Sequence, residues 1–449
     1  MVWGWGIKHF RDKTEGEVVL LEEKIKNKTA RIAIIGLGYV GLPLALEFAK
    51  AGFRVTGFDI DEVKVRKANR GESYVKDIKS SDLSKEIKNG RLIATTNFNK
   101  LSGMDAISIC VPTPLSKTKD PDMSYIIAAT DAVSRNLRKG QLIVLESTTY
   151  PGTTEDVILP MLEAKGFKAG RDFYLAFSPE RVDPGNKIYQ TKNTPKVIGG
   201  ITKNCLKLAG LLYGQAIERI VPVSSARAAE MVKILENTFR AINIGLANEV
   251  AIMCNKLNID VWEVIDAART KPFGFMPFYP GPGLGGHCIP IDPSYLSWKM
   301  RTLNYNAKFI ELASEINSSM PGYVVEKIVN ALNQKGKALK GANILIIGVA
   351  YKKDVDDIRE SPALDIMEHL IKKGAKLSYN DPLVKELSIE SGKLKSFKLT
   401  SNLLAKSDCV VIVTDHSVYN YAWIVKHSKV VVDTRNAAKG IKSEKIVRL

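Results

Sequence analysis

The chain has 449 residues, of which 45% are hydrophobic and 25% are charged, an ordinary composition for a soluble protein of two or three domains. Its net charge of +17 comes from basic residues scattered along the chain, whereas a nucleic-acid-binding protein would concentrate them in a block with aromatic residues between. The composition therefore argues against a nucleic-acid partner and favours a solvated basic surface, which can also attract an anionic substrate.

The sequence also argues against a membrane or secreted protein. No apolar run is long enough to span a bilayer, and residues 1–30 lack the apolar core and cleavage site of a signal peptide. The five cysteines fit neither a disulfide framework nor zinc-ligand spacing. We therefore predict a cytoplasmic protein with no metal site and no membrane partner. Residues 1–30 form an extension that is expected to be helical from about Glu15 to Lys26.

From Arg31 onwards, strand-like and helical patterns alternate, which predicts a parallel sheet with crossover helices. The expected strands are 32–35, 54–59, 106–111 and 142–145, and the expected helices are 40–50, 124–137 and 153–164. After a helix at 308–332 the alternation restarts, with strands at 343–347, 376–379, 409–413 and 429–432 and a helix at 361–372. The two stretches echo each other, because Gly36 and Gly348 each end an Ile-Ile strand and Asp59 and Asp381 each follow the next strand.

Between these stretches, residues 226–257 carry apolar side chains at intervals of three and four, the period of one helical face. That face comprises Met231, Leu235, Phe239, Ile242, Leu246, Val250 and Met253. A shorter helix is expected at 261–268. A long helix between two α/β halves suits a structural spine and a dimer surface. The predicted fold class is therefore α/β, with two Rossmann-like, doubly wound parallel-sheet domains joined by a long central helix.

A glycine-rich turn connects the first strand to the first helix. Gly36-Leu37-Gly38-Tyr39-Val40-Gly41 has GxGxxG spacing in the strand-to-helix context that a dinucleotide site requires. The first glycine permits the tight turn, the second lets backbone amides approach a pyrophosphate, and the third allows close helix packing. Asp59 is placed to bind the adenosine ribose, and a carboxylate there favours NAD over NADP. A chance glycine turn in an unrelated α/β fold is the alternative.

A second glycine-rich stretch surrounds Cys288. Pro280-Gly281-Pro282-Gly283-Leu284 leads into Gly285-Gly286-His287-Cys288, so the backbone carries few side chains there and a ligand can approach closely. A thiol in such a bend suits a nucleophile, and a thiol together with a hydride acceptor suggests oxidation beyond the aldehyde through a thioester. Taken alone, the stretch is equally compatible with a buried structural cysteine.

Several segments, taken in their order along the chain, resemble the UDP-glucose and UDP-mannose (UDP-sugar 6-) dehydrogenase family over about residues 31–435. These segments are 36–43 (GLGYVGLP), 111–114 (VPTP), 146–148 (EST), 177–181 (FSPER), 230–233 (EMVK) with Asn237, 248–249 (NE), 285–288 (GGHC) and 351–354 (YKKD). Within the family, residues 271–283 look most like the UDP-N-acetylglucosamine 6-dehydrogenases. The resemblance implies NAD-dependent, four-electron oxidation of a UDP-sugar at C6.

The resemblance also implies roles for individual residues. Cys288 matches the family nucleophile, which forms a thiohemiacetal and then a thioester. Lys233 and Asn237 match residues that stabilise oxyanions at C6, although their spacing alone predicts an ordinary solvated face of the helix, opposite the apolar one. Asp292 matches a carboxylate that pairs with this lysine and a water.

Glu180 and Thr148 match residues associated with proton transfer and water positioning during thioester hydrolysis. Phe278 and Tyr279 line the uridine pocket or belong to the core, and Arg269 is a candidate for a neighbouring subunit's sugar site. The predicted NAD-binding residues are Gly36, Gly38, Tyr39, Val40, Gly41, Asp59, Lys64, Thr113, Ser147, Thr148 and Arg359. The predicted substrate-binding residues are Glu180, Arg181, Lys233, Asn237, Arg269, Phe278, Tyr279, Gly281, Gly285 and Lys352, the last of these against the diphosphate or the sugar.

Two positions depart from many UDP-glucose dehydrogenases, which have serine before the cysteine and lysine before the aspartate. Here they are His287 and Ile291, which favours an N-acetylated sugar over glucose, and His287 would lower the thiol pKa if it were close and protonated. The alternatives are the same chemistry on UDP-N-acetylmannosamine or UDP-glucose, a two-electron hydroxyacid-type dehydrogenase with a structural cysteine, and a catalytically inactive nucleotide-binding regulator.

We predict that the chain has four parts. They are the extension at 1–30, an NAD-binding domain at 31–222, a central helical and dimerisation region with the cysteine loop at 223–335, and a UDP-sugar-binding domain at 336–449. We expect a homodimer or a higher homo-oligomer. The product would be a uronic acid nucleotide, a precursor of surface polysaccharide or glycan.

Overall fold

The computed structural model describes residues 13–115, 120–183, 185–186, 188–286 and 288–449, with residues 13–17 described by their backbone alone. The chain divides into two compact units, one ending at Leu235 and the other beginning at Glu236. One long helix, α8 (Ala226–Lys256), carries the chain across this boundary.

The first unit contains an eight-stranded sheet. Its strands are β1 (Arg31–Ile35), β2 (Arg54–Phe58), β3 (Leu92–Thr95), β4 (Ala106–Ile109), β5 (Leu142–Leu145), β6 (Tyr174–Phe177), β7 (Lys196–Gly200) and β8 (Ile220–Val223). They lie in the order β3-β2-β1-β4-β5-β6-β7-β8. All neighbours are parallel except β6 and β7. Successive strands are added on one side of β1 up to β3 and on its other side from β4 onwards. The strand order therefore reverses between β1 and β4, which is the position at which doubly wound folds bind nucleotides.

Helices cover both faces of this sheet. They are α1 (Lys13–Lys26), α2 (Gly41–Lys50), α3 (Glu62–Asn69), α4 (Ser80–Lys88), α5 (Ser124–Arg135), α6 (Leu159–Glu163) and α7 (Lys203–Tyr213), with a 3₁₀ turn at Phe98–Gly103 and a π-helical turn at Thr154–Ile158. Phe48, Phe53 and Tyr213 belong to the core on one face, and Phe58 and Phe173 to the core on the other. The strands are continuous apolar runs because both of their faces are buried.

The second unit contains a five-stranded parallel sheet in the order β10-β9-β13-β14-β15. Its strands are β9 (Asn343–Ile347), β10 (Lys376–Asn380), β13 (Cys409–Ile412), β14 (Val431–Asp433) and β15 (Ile446–Arg448), beside a hairpin of β11 (Glu386–Ile389) and β12 (Gly392–Lys395). Its helices after α8 are α9 (Val261–Ala268), α10 (Asp292–Thr302), α11 (Lys308–Asn333), α12 (Pro362–Lys372), α13 (Ser401–Lys406) and α14 (Tyr421–His427).

The structure confirms the predicted α/β class with two Rossmann-like parallel sheets. Every helix and strand predicted above is present, with its ends displaced by at most two residues. The predicted helix at 153–164 begins as the π-helical turn and continues as α6. No helix in the described part of the chain combines the length and the apolar character needed to cross a membrane.

The central helix does not bury all of its apolar face, as an amphipathic helix is expected to do. Leu235, Phe239 and Leu246, from its apolar face, are 57%, 44% and 55% exposed. Lys233 and Asn237, from the opposite face, are buried. The prediction from spacing alone, an ordinary solvated face, is therefore wrong for these two residues.

Candidate active site

The glycine turn between β1 and α2 has the geometry of a dinucleotide loop. Gly36 has φ +90°, and a Cβ there would lie 2.5 Å from the carbonyl oxygen of Cys110. A Cβ at Gly41 would lie 1.8 Å from the carbonyl oxygen of Gly36. A Cβ at Gly38 would meet nothing within 4 Å. Gly36 and Gly41 are thus required by the fold itself, whereas the space at Gly38 is open to a ligand.

Asp59 follows β2 beside this turn. Its Oδ2 accepts a hydrogen bond from the Leu37 amide at 2.8 Å, and its Oδ1 accepts one from the Asp61 amide at 2.9 Å. Lys64, on α3, places its Nζ 3.9 Å from Oδ2. The carboxylate is therefore held in one orientation at the carboxyl end of the sheet, where a ribose is bound in dinucleotide folds.

The other predicted NAD-binding residues of this unit surround the ends of β1, β4 and β5. Tyr39 is exposed and Val40 is partly buried at the start of α2. The Ser147 hydroxyl donates to the carbonyl oxygen of Val111 at 2.8 Å and is buried. Thr148 and Thr113 are both partly buried. Open space at a glycine, an oriented carboxylate at the end of β2 and a helix N-terminus together fit NAD.

Glu180 lies in the loop after β6 and belongs to a buried polar cluster. Its Oε1 accepts hydrogen bonds from the amides of Arg181 and Val182, at 2.8 and 2.7 Å, and its Oε2 accepts one from Lys196 Nζ at 3.2 Å. Lys196 Nζ also donates to Glu146 Oε2 at 2.5 Å. The Arg181 guanidinium donates to the Pro195 carbonyl oxygen at 2.7 Å.

The pKa values of the two carboxyl groups in this cluster, Glu146 and Glu180, are shifted in opposite directions. Burial raises the pKa of Glu146, and this effect outweighs the charge of Lys196. Burial also opposes ionisation of Glu180, but Lys196, the Val182 amide and the charge of Lys233 outweigh it, so the pKa of Glu180 lies below its ordinary value. Glu180 is therefore the carboxylate of the pair that is held ionised.

Within the second unit, Cys288 lies in a bend just before α10. Its carbonyl oxygen accepts hydrogen bonds from the amides of Ile291 and Asp292, at 3.1 and 2.8 Å. Of the five cysteines, the other four are buried and Cys288 is partly exposed. Cys288 is therefore the one cysteine residue of the five that is not buried.

The bend is built closely against the loop after β9. Gly286 has φ +82°, and a Cβ on it would lie 2.8 Å from the ring of Tyr351, while a Cβ on Gly285 would lie 2.6 Å from the Tyr351 Cβ. The Gly286 amide donates to the Arg359 carbonyl oxygen at 3.0 Å. These glycines bring the cysteine loop against the segment that contains Lys352 and Arg359.

Asn237 and Asp292 meet in the second unit. The Asn237 amide group donates a short hydrogen bond to Asp292 Oδ2, and both side chains are buried. Asp292 is the first residue of α10 and lies one helical turn after Cys288. The structure thus places two of the predicted catalytic side chains in contact, beside the cysteine bend. Lys233 is buried on the part of α8 that belongs to the first unit.

The remaining predicted substrate-binding residues of the second unit lie in two places. Lys352 is partly buried. Arg359, which is predicted to bind NAD, is exposed with its guanidinium on both oxygens of the Asp357 carboxylate. Tyr279 stacks on Trp262 at 5.7 Å between ring centroids, and its hydroxyl accepts from Arg269 at 3.2 Å.

Phe278 packs edge-on against Phe239 at 5.6 Å between ring centroids. Gly281 is buried, and its amide donates to the Asn248 side chain at 2.9 Å. A Cβ at Gly281 would lie 2.7 Å from a guanidinium nitrogen of Arg435. His287 lies outside the described residues. Among the described residues, no group of three or more His, Cys, Asp or Glu side chains is placed to hold a metal ion.

The sequence interpretation missed two basic residues that the structure places in these regions, Lys196 and Arg435. Lys196 begins the apolar strand β7, where a lysine is unexpected. Arg435 follows β14 and donates from its Nε to the Val413 carbonyl oxygen at 3.0 Å. A basic residue directly bordering a buried strand was the available signal in both cases.

Comparisons with known proteins agree with this geometry. Three parts of the UDP-glucose/GDP-mannose dehydrogenase family match the chain: the NAD binding domain at residues 30–217, the central domain at 227–319 and the UDP binding domain at 345–440. The chain is 36% identical to a UDP-N-acetyl-D-glucosamine 6-dehydrogenase of Salmonella typhi over 394 residues, covering 87% of this chain and 90% of that protein.

Two further comparisons come from Pyrococcus horikoshii. A UDP-N-acetyl-D-mannosamine dehydrogenase from this organism is 35% identical over 415 residues, covering 91% of this chain and 96% of that protein. A solved structure of a UDP-D-ManNAc dehydrogenase from the same organism has a TM-score of 0.85 at 34% identity, covering 93% of this chain and 98% of that chain. The chain therefore belongs to the UDP-glucose/GDP-mannose dehydrogenase family, and it is an NAD-dependent UDP-sugar dehydrogenase.

Proposed function

We propose that this enzyme oxidises the C6 hydroxymethyl group of a UDP-sugar by four electrons, to the carboxylate, through covalent intermediates on Cys288. The observation that carries the proposal is the partly exposed Cys288 in a bend formed by glycines, followed one helical turn later by the buried Asn237–Asp292 pair. A thiol trap is needed because the aldehyde formed by the first oxidation would otherwise leave the site before the second.

The cofactor would be held by the glycine turn and by Asp59, and NAD supplies the hydride acceptor for both oxidations. Cys288 Sγ adds to the aldehyde carbon, a C–S bond forms, and the carbonyl oxygen becomes the hydroxyl of a thiohemiacetal. Lys233 stabilises negative charge on that oxygen, with Asn237. At the next oxidation level the same carbon is a thioester on Cys288.

Hydrolysis then completes the reaction. A water oxygen adds to the thioester carbon, the C–S bond breaks, and the sulfur leaves as a thiolate. Glu180 accepts the proton of the attacking water, and Thr148 orients that water. A carboxylate must be ionised to accept this proton, and Lys196, the Val182 amide and the charge of Lys233 hold the pKa of Glu180 below its ordinary value despite burial. The assignment itself rests on the family resemblance, since a lowered pKa makes a carboxylate a weaker base.

The nucleotide half of the substrate would bind to the second unit. Support comes from the match of residues 345–440 to a UDP binding domain. Lys352 would contact the diphosphate or the sugar, and the partly buried Arg435, with its guanidinium beside Gly281, would add a second positive charge. We propose Arg359 for a contact near the NAD, and Phe278 and Tyr279 for the uridine pocket, with a place in the core as the alternative for these two aromatic residues.

We propose UDP-N-acetylglucosamine as the sugar nucleotide. The loop at 271–283 and the Salmonella typhi relative support this choice. UDP-N-acetylmannosamine is the second candidate, because relatives of almost the same identity carry that name. The product would be the corresponding uronic acid nucleotide.

The test is the number of NADH molecules released per UDP-N-acetylglucosamine, for the wild type and for Cys288→Ser. Two from the wild type, with the mutant stalled before net acid formation, would support the route and the sugar. Two on the mannosamine nucleotide and none on this one would keep the route and change the sugar. One per sugar, unaffected by the mutation, would exclude the thioester route.

We also propose that the enzyme is a homodimer, or a multiple of it, built through the exposed apolar side chains of the second unit. Leu246 and Met253 on α8, and Phe309 on α11, are 55%, 49% and 75% exposed, whereas monomeric proteins rarely expose large apolar patches. Leu246→Glu should lower the mass measured by light scattering, and Lys406→Glu, at an exposed position on α13, should leave it unchanged. A wild-type monomer would refute the proposal.

We propose that the chain has four regions with separate roles. They are an N-terminal extension at 1–30, an NAD-binding domain at 31–222, a dimerisation region at 223–335 and a substrate-binding domain at 336–449. Arg269, held by Tyr279, remains our candidate for a neighbouring subunit's sugar site. Four buried free cysteines and one partly exposed one suit the reducing cytoplasm.

A further inference from the structure

A continuous chain of buried polar side chains crosses the first unit behind Glu180. Ser108 Oγ lies 2.9 Å from the Tyr213 hydroxyl, and that hydroxyl donates a short hydrogen bond to Glu146 Oε1. Glu146 Oε2 accepts from Lys196 Nζ at 2.5 Å, and Lys196 reaches Glu180 Oε2 at 3.2 Å. The chain joins β4, α7, β5, β7 and the loop after β6, so it is fixed by the sheet.

The two carboxyl groups that share Lys196 differ in exposure. The Glu146 side chain is 0% exposed, the Lys196 side chain 5% and the Glu180 side chain 14%. One ammonium group therefore contacts two carboxyl groups, and Glu180 is the more exposed of the two. Because burial raises the pKa of Glu146, Glu180 is the partner whose negative charge balances that of Lys196.

We propose that Lys196 is a positioning residue for thioester hydrolysis: its ammonium group aims the Glu180 carboxylate and keeps it ionised, while Glu146 and Tyr213 fix the ammonium group in place. The inference rests on the proposed role of Glu180 as the group that accepts the proton of the attacking water.

The geometry explains how one carboxylate is fixed at both oxygens. The amides of Arg181 and Val182 hold Oε1, and Lys196 holds Oε2. When water adds to the thioester carbon and the C–S bond breaks, one water proton passes to Glu180 and the sulfur leaves as a thiolate. Lys196 keeps its own proton, because the charges of Glu146 and Glu180 raise its pKa despite burial.

Several charged or titratable groups act on Glu180 from the elements around it. Lys196 on β7 and Lys233 on α8 favour its ionised form. Glu146 after β5 and Cys110 after β4 lie in the same electrostatic cluster and would oppose it if ionised. Tyr213 stays a neutral donor, because burial and Glu146 raise its pKa. Lys196 is the cation of this set that contacts the Glu180 carboxylate directly.

The test compares two variants on the low-pH limb of hydrolysis. Lys196→Met removes the cation and should move this limb upward by about 1 to 3 pH units, the usual effect of one close opposite charge. Because the pKa of Glu146 is raised and that of Glu180 is lowered, Glu146 is uncharged along this limb, and Glu146→Gln, which keeps an acceptor for the ammonium group, should leave the limb at the wild-type position. General disruption of the buried cluster would move the limb in both variants.

Two readouts separate hydrolysis from oxidation. The pH dependence of kcat is measured from pH 4 to 8, and the fraction of enzyme carrying a sugar nucleotide on Cys288 is measured by intact mass after acid quench. At pH values below its shifted limb, the Lys196→Met enzyme should accumulate this adduct. Lys196→Arg, which keeps the charge, should restore most of the wild-type profile.

Lys327→Met is the matched control, because Lys327 is also buried, donates to the Arg448 carbonyl oxygen at 2.8 Å and lies in the other unit. Its limb should stay at the wild-type position. Coincident limbs for folded Lys196→Met and the wild type would overturn the inference. If Lys196→Met does not fold, the same comparison is made with Lys196→Gln, and coincident limbs would again overturn it. A wild type that yields one NADH and no adduct would instead refute the proposed function.

Discussion

The glycine turn offers a prediction in which two neighbouring glycines behave in opposite ways. Gly38 and Gly41 belong to the same motif, but a Cβ at Gly38 meets nothing within 4 Å, whereas a Cβ at Gly41 lies 1.8 Å from the Gly36 carbonyl oxygen and 3.1 Å from a methyl carbon of Ile34. Gly38 does not have a positive φ. Gly38→Ala should therefore damage cofactor binding alone, and Gly41→Ala should damage the fold.

The magnitudes follow from these distances. Gly38→Ala costs the folded state nothing sterically and stiffens the unfolded chain, so its stability should change by less than about 1 kcal/mol. Its methyl group occupies the space through which a pyrophosphate approaches the backbone, so we expect the KM for NAD to rise by about tenfold or more, equivalent to about 1.4 kcal/mol. Gly41→Ala must move backbone, which costs about 1 to 3 kcal/mol or more.

The assay measures thermal unfolding and NAD titration on the same preparations. For a unit of this size, each kcal/mol lowers Tm by about 2 to 4 °C, so Gly41→Ala should unfold several degrees early and Gly38→Ala should not. Equal losses of Tm in the two variants would refute the packing argument. A Gly38→Ala enzyme with the wild-type KM for NAD would refute the placement of the pyrophosphate.

Three further predictions concern buried polar groups. Burial raises the pKa of Glu230 to about 7. The folding stability that is present below about pH 4.5 should therefore fall by about 3 kcal/mol as the pH rises to 7. Glu230→Gln, which has no titratable proton, should flatten this pH dependence of the unfolding free energy in urea titrations. Asn237→Leu removes a donor from buried Asp292 and should cost about 1 to 3 kcal/mol of unfolding free energy, with a fall in kcat; an unchanged urea midpoint would count against that bond. His416→Ala should raise the pKa of Asp381 and destabilise the second unit by a similar amount, detectable as faster amide hydrogen exchange in β9 and β10.

The elements that could be predicted from the sequence are those with a regular spacing of apolar residues, or with glycine and proline residues at their ends. β1, β9 and α8 were found because continuous apolar runs and three–four spacing are local signals. β7 was not found, since it is short, begins with Lys196 and contains two glycines. Its lysine is stabilised by Glu146, 50 residues earlier in the chain, and no local pattern contains that contact.

The central helix shows why a face cannot be assigned from hydrophobic spacing alone. The spacing correctly predicted α8, but the apolar side chains Leu235 and Leu246 are exposed while the polar Lys233 and Asn237 are buried. Hydrophobic spacing predicts a helix and its apolar face, but it does not say which face is buried. The burial of Lys233 and Asn237 is not contained in this local pattern, whereas the family resemblance singled out both residues.

The echo between the two halves of the sequence is real in the backbone and differs in chemistry. Asp59 accepts from the amide of Leu37, and Asp381 accepts from the amide of Val349, at 2.8 Å in each case and directly after the glycine of the turn. The Asp59 side chain is 8% exposed, with Lys64 at 3.9 Å.

Asp381 is more completely enclosed. It receives amide donors from Val349, Ala350, Leu383 and Val384, and a ring nitrogen of His416 lies 3.0 Å from its Oδ2. Its side chain is 0% exposed. Each of its oxygens is already bonded at least twice within the protein, so Asp381 has no free face for a ribose hydroxyl. The same aspartate-to-amide hydrogen bond therefore occurs in both units, at the residue that we propose as a cofactor contact in the first unit and at a fully enclosed carboxylate in the second.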